Sequence, residues 1–256
     1  MKTGYRLEGP AAAPVVTLVH SLAANLELWD AQAAALLPRY RVLRYDVRGH
    51  GSSDAPPGPY TLEQMADDLR DLLAGLAITD THVVGLSMGG CIGMATALRH
   101  PKLIRSLVLA DTTSRYAPQT AAMWADRVRT AESAGMEPLI EPTMAIWFTA
   151  AFRERKPAAV DRVRAMLRAT DPRGYVAAIG AIADVNLTDR LGAVRCPTLV
   201  LVGEHDPGTP IGMARVLQER IPGAALTVLP GAAHCSCVEA ADAFNRALLD
   251  FLPGVG

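Results

Sequence analysis

An α/β fold built on a mostly parallel sheet, with helices on both faces and a helical insertion, is what this 256-residue sequence predicts. Three observations predict it. Short apolar, β-branched runs alternate with amphipathic stretches of helical spacing. Those runs are apolar at nearly every position, the pattern of strands buried on both faces by helices. The alternation also breaks once, between about residues 112 and 191.

Taken in order, the strand-like runs are 15–20, 41–46, 82–86, 106–110, 199–203 and 226–229. Between them lie helical patterns at 28–37, 62–76, 90–99, 212–220 and 240–251. The interrupting stretch, 112–189, is rich in Ala, Arg, Met and Trp, and Val160, Val163, Met166 and Leu167 fall at helical spacing. Pro138, Pro142, Pro157 and Pro172 are expected to cut it into short helices. An insertion after a strand and before the sheet resumes reads as a cap on a core formed by 1–111 and 190–256. Its expected place is over the carboxyl ends of the strands, where open α/β sheets bind ligands.

Bulk properties exclude several functions. The formal net charge is −1, with no basic block, which argues against nucleic acid or an anionic membrane as partner. The apolar runs are strand-sized and far short of a membrane span. No apolar segment follows Met1-Lys2-Thr3-Gly4-Tyr5 to act as a secretory signal. Cys91, Cys196, Cys235 and Cys237 have no disulfide-framework spacing, so a reducing cytoplasmic setting is expected. Cys235 and Cys237 flank one residue beside His234, too tight for a zinc knuckle, and no metal or other cofactor is expected.

The chemistry begins at 83–90, Val-Val-Gly-Leu-Ser-Met-Gly-Gly, where Gly85, Ser87 and Gly89 form a G-x-S-x-G nucleophile elbow. A strand turning sharply into a helix places Ser87 at a strained apex, and side chains two residues either side would collide. Serine needs a neighbouring base, and the chain order expected on such a scaffold is Ser, acid, His. His234 follows the strand 226–229 and a turn, and is the expected general base. His100, at the end of the helix leaving the elbow, reads as a helix-terminal charge partner. Asp206, in Gly203-Glu204-His205-Asp206-Pro207, is the expected partner of the imidazole, with Asp111 as the alternative and Glu204 facing solvent. The oxyanion would be held by the backbone N–H groups of Met88 and Leu22. Ser21 and Trp147 are expected at the substrate, Trp147 also reading equally well as cap core. His20, Asp46, Arg48 and His50 read as residues that pin loops, and Cys91 as buried and inert.

The elbow, the segment Tyr45-Asp46-Val47-Arg48-Gly49-His50-Gly51-Ser52-Ser53, the acid loop and the late histidine together resemble the α/β-hydrolase superfamily. The resemblance spans nearly the whole chain and implies an eight-stranded, mostly parallel sheet. Within the superfamily, residues 44–51, 56–62, 85–90 and Trp147-Phe148-Thr149 resemble 3-oxoadipate enol-lactonases. That resemblance implies a serine hydrolase opening a small enol-lactone in aromatic catabolism. Such a substrate carries a carboxylate, for which Arg127, Arg129, Arg153 and Arg155 are candidate partners. Two departures lie beside the site: Ser21-Leu22-Ala23 where the family reads Ser-Leu-Gly, and Cys235-Ser236-Cys237 where it tends to show Ser-Asn after the histidine. A carboxylesterase or another lactonase shares the same layout, as do C–C hydrolases and perhydrolases. A ligand receptor that has lost turnover is the reading from outside enzymology.

Overall fold

The computed structural model describes residues 1–255. Every strand expected from an apolar run forms: β2 (Val15–Val19), β3 (Arg41–Tyr45), β4 (Thr81–Leu86), β5 (Ile104–Ala110), β6 (Thr198–Gly203) and β7 (Ala225–Leu229). One more, β1 (Tyr5–Glu8), lies at the edge, antiparallel to β3. Its exposed Tyr5, Arg6 and Glu8 leave only half-buried Leu7 as an inward signal, which is why no apolar run announces it.

The sheet order is β1-β3-β2-β4-β5-β6-β7, parallel except for β1. It therefore has seven strands among the described residues, not eight. No further strand forms at the amino-terminal edge among the described residues. There the link from β1 to β2 is only residues 9–14, with Pro10, Pro14 and Gly9 at φ +102°. Two residues without an N–H and a left-handed glycine make a turn, not a pairing edge.

The core helices follow the expected pattern. α1 (Asp30–Leu36) is entered through a 3₁₀ turn, Leu26–Trp29, capped by the Asn25 side chain. α2 (Leu62–Gly75) starts on a capping box in which Thr61 and Gln64 bond each other's backbone N–H. α3 (Met88–Arg99) leaves the elbow and buries nearly its whole length. α9 (Ile211–Arg220), α10 (Ser236–Glu239) and α11 (Ala241–Phe251) complete the core.

Between β5 and β6 lie α4 (Ala121–Ala134), α5 (Glu137–Trp147), α6 (Ala150–Arg155), α7 (Pro157–Ala169) and α8 (Pro172–Ala183). Pro138, Pro157 and Pro172 sit in first turns, where the absent N–H costs nothing. Pro142 does not cut a helix as expected; it lies inside α5. It removes one hydrogen bond, and burial of Leu139, Ile140, Thr143, Met144 and Trp147 carries the helix through. No described helix is long and apolar enough to cross a membrane.

Candidate active site

β2 has β3 on one side and β4 on the other, so the chain reverses its winding direction beside β2. The loops after β2 and β4 thus part at their carboxyl ends and open a crevice, the usual ligand position in such sheets. Ser87 follows β4, with φ +53° and ψ −114°. Its backbone is locked: N–H donates to Ala110 O at 2.8 Å, and its carbonyl accepts from Thr112 Oγ1 at 2.7 Å. A Cβ on Gly85 would sit 2.2 Å from Gly89 O, and one on Gly89 would sit 2.0 Å from Val19 O. Those contacts are the steric reason for the glycines of the elbow.

His234 and Asp206 come from the loops after β7 and β6. His234 Nδ1 donates to Asp206 Oδ2 at 2.8 Å, both side chains being buried. Asp206 also accepts from Gly208 N (2.8 Å), Thr209 N (3.0 Å) and Thr209 Oγ1 (2.7 Å). A carboxylate so surrounded stays ionised. Burial alone would raise its pKa, but the His234 charge and these hydrogen bonds carry it below the usual range. For His234 burial pulls downward, and the Asp206 charge and hydrogen bond overcome it, leaving the imidazole above its ordinary value. The Nδ1 bond fixes the tautomer and leaves Nε2 with no partner among the described residues.

Asp111 and Glu204 do not meet the imidazole. Glu204 is exposed and accepts from Gly231 N at 2.9 Å. Asp111, at φ +45° and fully buried, accepts from Gly203 N at 2.7 Å and shares a short hydrogen bond with Ser236 Oγ. It thereby ties the start of the Asp206 loop to the residue two beyond His234. Burial, with the Asp206 charge second, pushes its pKa up to about 8.

Ser87 and His234 line one cavity of about 220 Å³, together with Leu22, Ala23 and Trp147. No hydrogen bond joins Ser87 Oγ to the imidazole among the described residues; such contacts commonly tighten only around substrate. Met88 opens α3, so its N–H has no intrahelical acceptor. The Leu22 N–H likewise donates to nothing within the described chain, whereas the next amide, Ala23 N, donates to His50 Nε2 at 3.0 Å. Ala23 holds φ +62°, at the position where the resembled family carries glycine.

The loop-pinning residues do pin loops. His20 Nε2 accepts from Val47 N at 2.9 Å, and Asp46 accepts from Leu26 N and Ser52 N, each at 2.8 Å. Ser21 does not line the cavity: its Oγ is buried without a partner, and its carbonyl serves His20 Nδ1 and Ala24 N. Trp147 does, its ring centroid 6.4 Å from that of His234. His100 pairs with Asp67 at 2.7 Å. The cavity's outer wall, with Trp124, Thr143 and Tyr175, carries no motif; only its helical spacing was readable.

Residues 14–241 match a family model described as alpha/beta hydrolase fold. The chain is 33% identical to "3-oxoadipate enol-lactonase 2" of Acinetobacter baylyi, over 95% of this chain and 90% of that protein. It is 31% identical to "Putative carbamate hydrolase RutD" of Caulobacter sp. strain K31, over 96% and 93%. Among solved structures, the enol-lactonase from Burkholderia xenovorans LB400 superposes with a TM-score of 0.94. That pair is 38% identical, with 98% of this chain and 96% of the other covered.

Proposed function

The chain belongs to the α/β-hydrolase fold family, and from that premise we propose a serine hydrolase that opens a small lactone, with 3-oxoadipate enol-lactone as the best candidate. The observation that carries the reading is that His234, held by Asp206 behind it, lines the same small cavity as Ser87 at its strained turn.

In this reading His234 Nε2 takes the proton of Ser87 Oγ as the oxygen attacks the lactone carbonyl. The N–H groups of Leu22 and Met88 receive the developing oxyanion, each contributing roughly 3–4 kcal/mol of transition-state stabilisation. Asp206 holds the imidazolium that forms and keeps it oriented. The carbonyl then re-forms and the ring C–O bond breaks. Its electron pair stays on the enol oxygen, which takes the proton from His234. An enolate leaves more readily than an alkoxide, so this step asks less of the acid. Water, deprotonated by the same imidazole, next attacks the acyl carbonyl; the acyl C–Oγ bond breaks, Ser87 Oγ takes the proton back from His234, and the carboxylic acid is released. The enol then tautomerises to the ketone without help from the triad. Helices α4–α8 serve as the cap over this chemistry, with Trp147 as a wall of the acyl pocket.

The enol-lactonase relatives support this substrate and a place in aromatic catabolism. Four free cysteines fit a cytoplasmic enzyme, and neither nucleic acid nor membrane is part of the reading. A second reading is hydrolysis of a small carbamate or ester through the same serine. It is favoured by the carbamate-hydrolase relatives and by the departures at Ala23 and at Cys235-Ser236-Cys237 beside the site.

The test is kcat/KM across 3-oxoadipate enol-lactone, saturated lactones, small carbamates and nitrophenyl esters. The enol-lactone should lead by at least tenfold. A carbamate or simple ester in the lead replaces the substrate, and no turnover of any removes the hydrolase.

A further inference from the structure

The cavity that holds Ser87 and His234 is walled largely by apolar and neutral side chains, among them Leu22, Ile146, Trp147 and Ile182. Only one permanent cation, Arg127 of α4, lines it among the described residues, and no carboxylate does. Arg127 Nε donates to Tyr175 OH at 2.7 Å and Nη2 to Thr143 Oγ1 at 2.8 Å, while the guanidinium stands 6.0 Å from the centroid of the Tyr175 ring. Tyr175 and Thr143 are buried, so the fork is held on two sides by fixed partners. Both partners are neutral. They orient the charge without cancelling it.

Other arginines in the same helical layer spend their charge on carboxylates. Arg129 pairs with Asp126, Arg164 with Glu141 and Asp161, and Arg168 with Glu137. Arg153 and Arg155 do not line the cavity. A guanidinium has five N–H donors, of which two are engaged here, so a planar pair remains for a bidentate acceptor. In a confined, mostly apolar cavity an opposite charge is attracted far more strongly than in water.

We propose that Arg127 is the receptor for a free carboxylate on the acyl substrate, making the protein selective for anionic lactones and esters over neutral ones of equal size. The inference rests on the hydrolase reading of the cavity and narrows it to a substrate class. Of the four arginines that the sequence offers for this task, the geometry points to this one.

Two measurements on the whole chain test it. In the first, kcat/KM is taken for a nitrophenyl monoester of glutaric acid and for nitrophenyl valerate, and their ratio is compared between the protein and Arg127→Met. The ratio should fall about 10- to 100-fold, mainly through KM of the anionic ester, and Arg127→Lys should restore part of it. In the second, glutarate binding to Ser87→Ala is followed by calorimetry, with and without Arg127→Met. Loss of at least tenfold in affinity is expected, and this holds whether or not Ser87 is a nucleophile. If Arg127 only staples α4 to α5 and α8, both esters suffer alike, thermal stability drops, and Lys gives no rescue of the ratio. That outcome, or glutarate binding untouched by Arg127→Met, overturns the proposal. No ester turnover with Arg127-dependent glutarate binding would instead defeat the hydrolase reading and leave the carboxylate receptor standing.

Discussion

The rim of the sheet and the helical layer above it are held by different physics. At the rim, Ala23, Ser87 and Asp111 follow β2, β4 and β5, and all three are non-glycine residues with left-handed φ. Such conformations cost about 1–2 kcal/mol each and persist only where surrounding bonds over-determine them. Buried bonds do so here: Ser87 N to Ala110 O, Asp111 to Gly203 N, Ala23 N to His50. The layer α4–α8 rests instead on buried apolar contacts such as those of Met144, Phe148, Val160 and Val163, and its outer face is laced by exposed ion pairs such as Arg168–Glu137 and Arg164–Glu141. Exposed pairs contribute roughly 0–1 kcal/mol. Reactive groups belong on the over-determined surface, because a small displacement there costs rate. Selection among substrates belongs on the layer whose contacts can change without unfolding the sheet.

The sharpest break of this contrast is Ser87→Ala. It should lower kcat by on the order of 10⁴ or more, with thermal unfolding unchanged. A matching loss of stability would mean that the hydroxyl holds the turn rather than the chemistry. Asp206→Asn follows, with a comparable loss in kcat and a telling pH profile. His234 must be neutral to accept a proton, and the Asp206 carboxylate raises its pKa above 6.5. The acid limb of kcat/KM should therefore have its midpoint above 6.5. Removing the cause should move that midpoint down in the variant. An unmoved limb would assign it to another group.

Gly89→Ala tests the rim itself. With Val19 O only 2.0 Å from the new Cβ, the strand or the helix must shift. Denaturant melts should show a loss of several kcal/mol, at the upper end for single substitutions. Glu137→Ala, in the helical layer, should leave the unfolding midpoint nearly unmoved in the same experiment. Equal losses at the two sites would erase the distinction between the regions.

The two regions also differed in what the sequence disclosed. Rim features are written in short, sterically forced patterns. Gly85 and Gly89 bracket Ser87 because no side chain fits there, so the elbow was legible from three letters. The strands β2–β7 were legible because both faces are buried. β1 was not, since an edge strand with three exposed residues of four carries no apolar run. The expected eighth strand came from the resemblance, whereas the described residues form seven. In the helical layer, spacing marked helices but not their contacts. Pro142 carries the local signal of a helix breaker, and the burial that holds α5 together across it comes from tertiary packing that no local pattern shows. Which arginine faces the cavity depends on where α4 lies against α5 and α8, which no local pattern encodes. Ser21, adjacent to the expected oxyanion amide, has its Oγ buried without a partner and stays out of the cavity lining, which its place in the motif does not disclose. Asp111's bridge to Gly203 and Ser236 joins residues 92 and 125 positions apart and was equally hidden.

One measurement bears most directly on the claim that Ser87 and His234 act as nucleophile and base within a single cavity. A fluorophosphonate is allowed to react with the folded protein across pH, and the adduct is located by peptide mass spectrometry. The account predicts one adduct per chain, on Ser87, forming faster as His234 loses its proton and absent from Ser87→Ala and His234→Ala. An adduct on another residue, or a folded protein that takes up none at any pH, would contradict it.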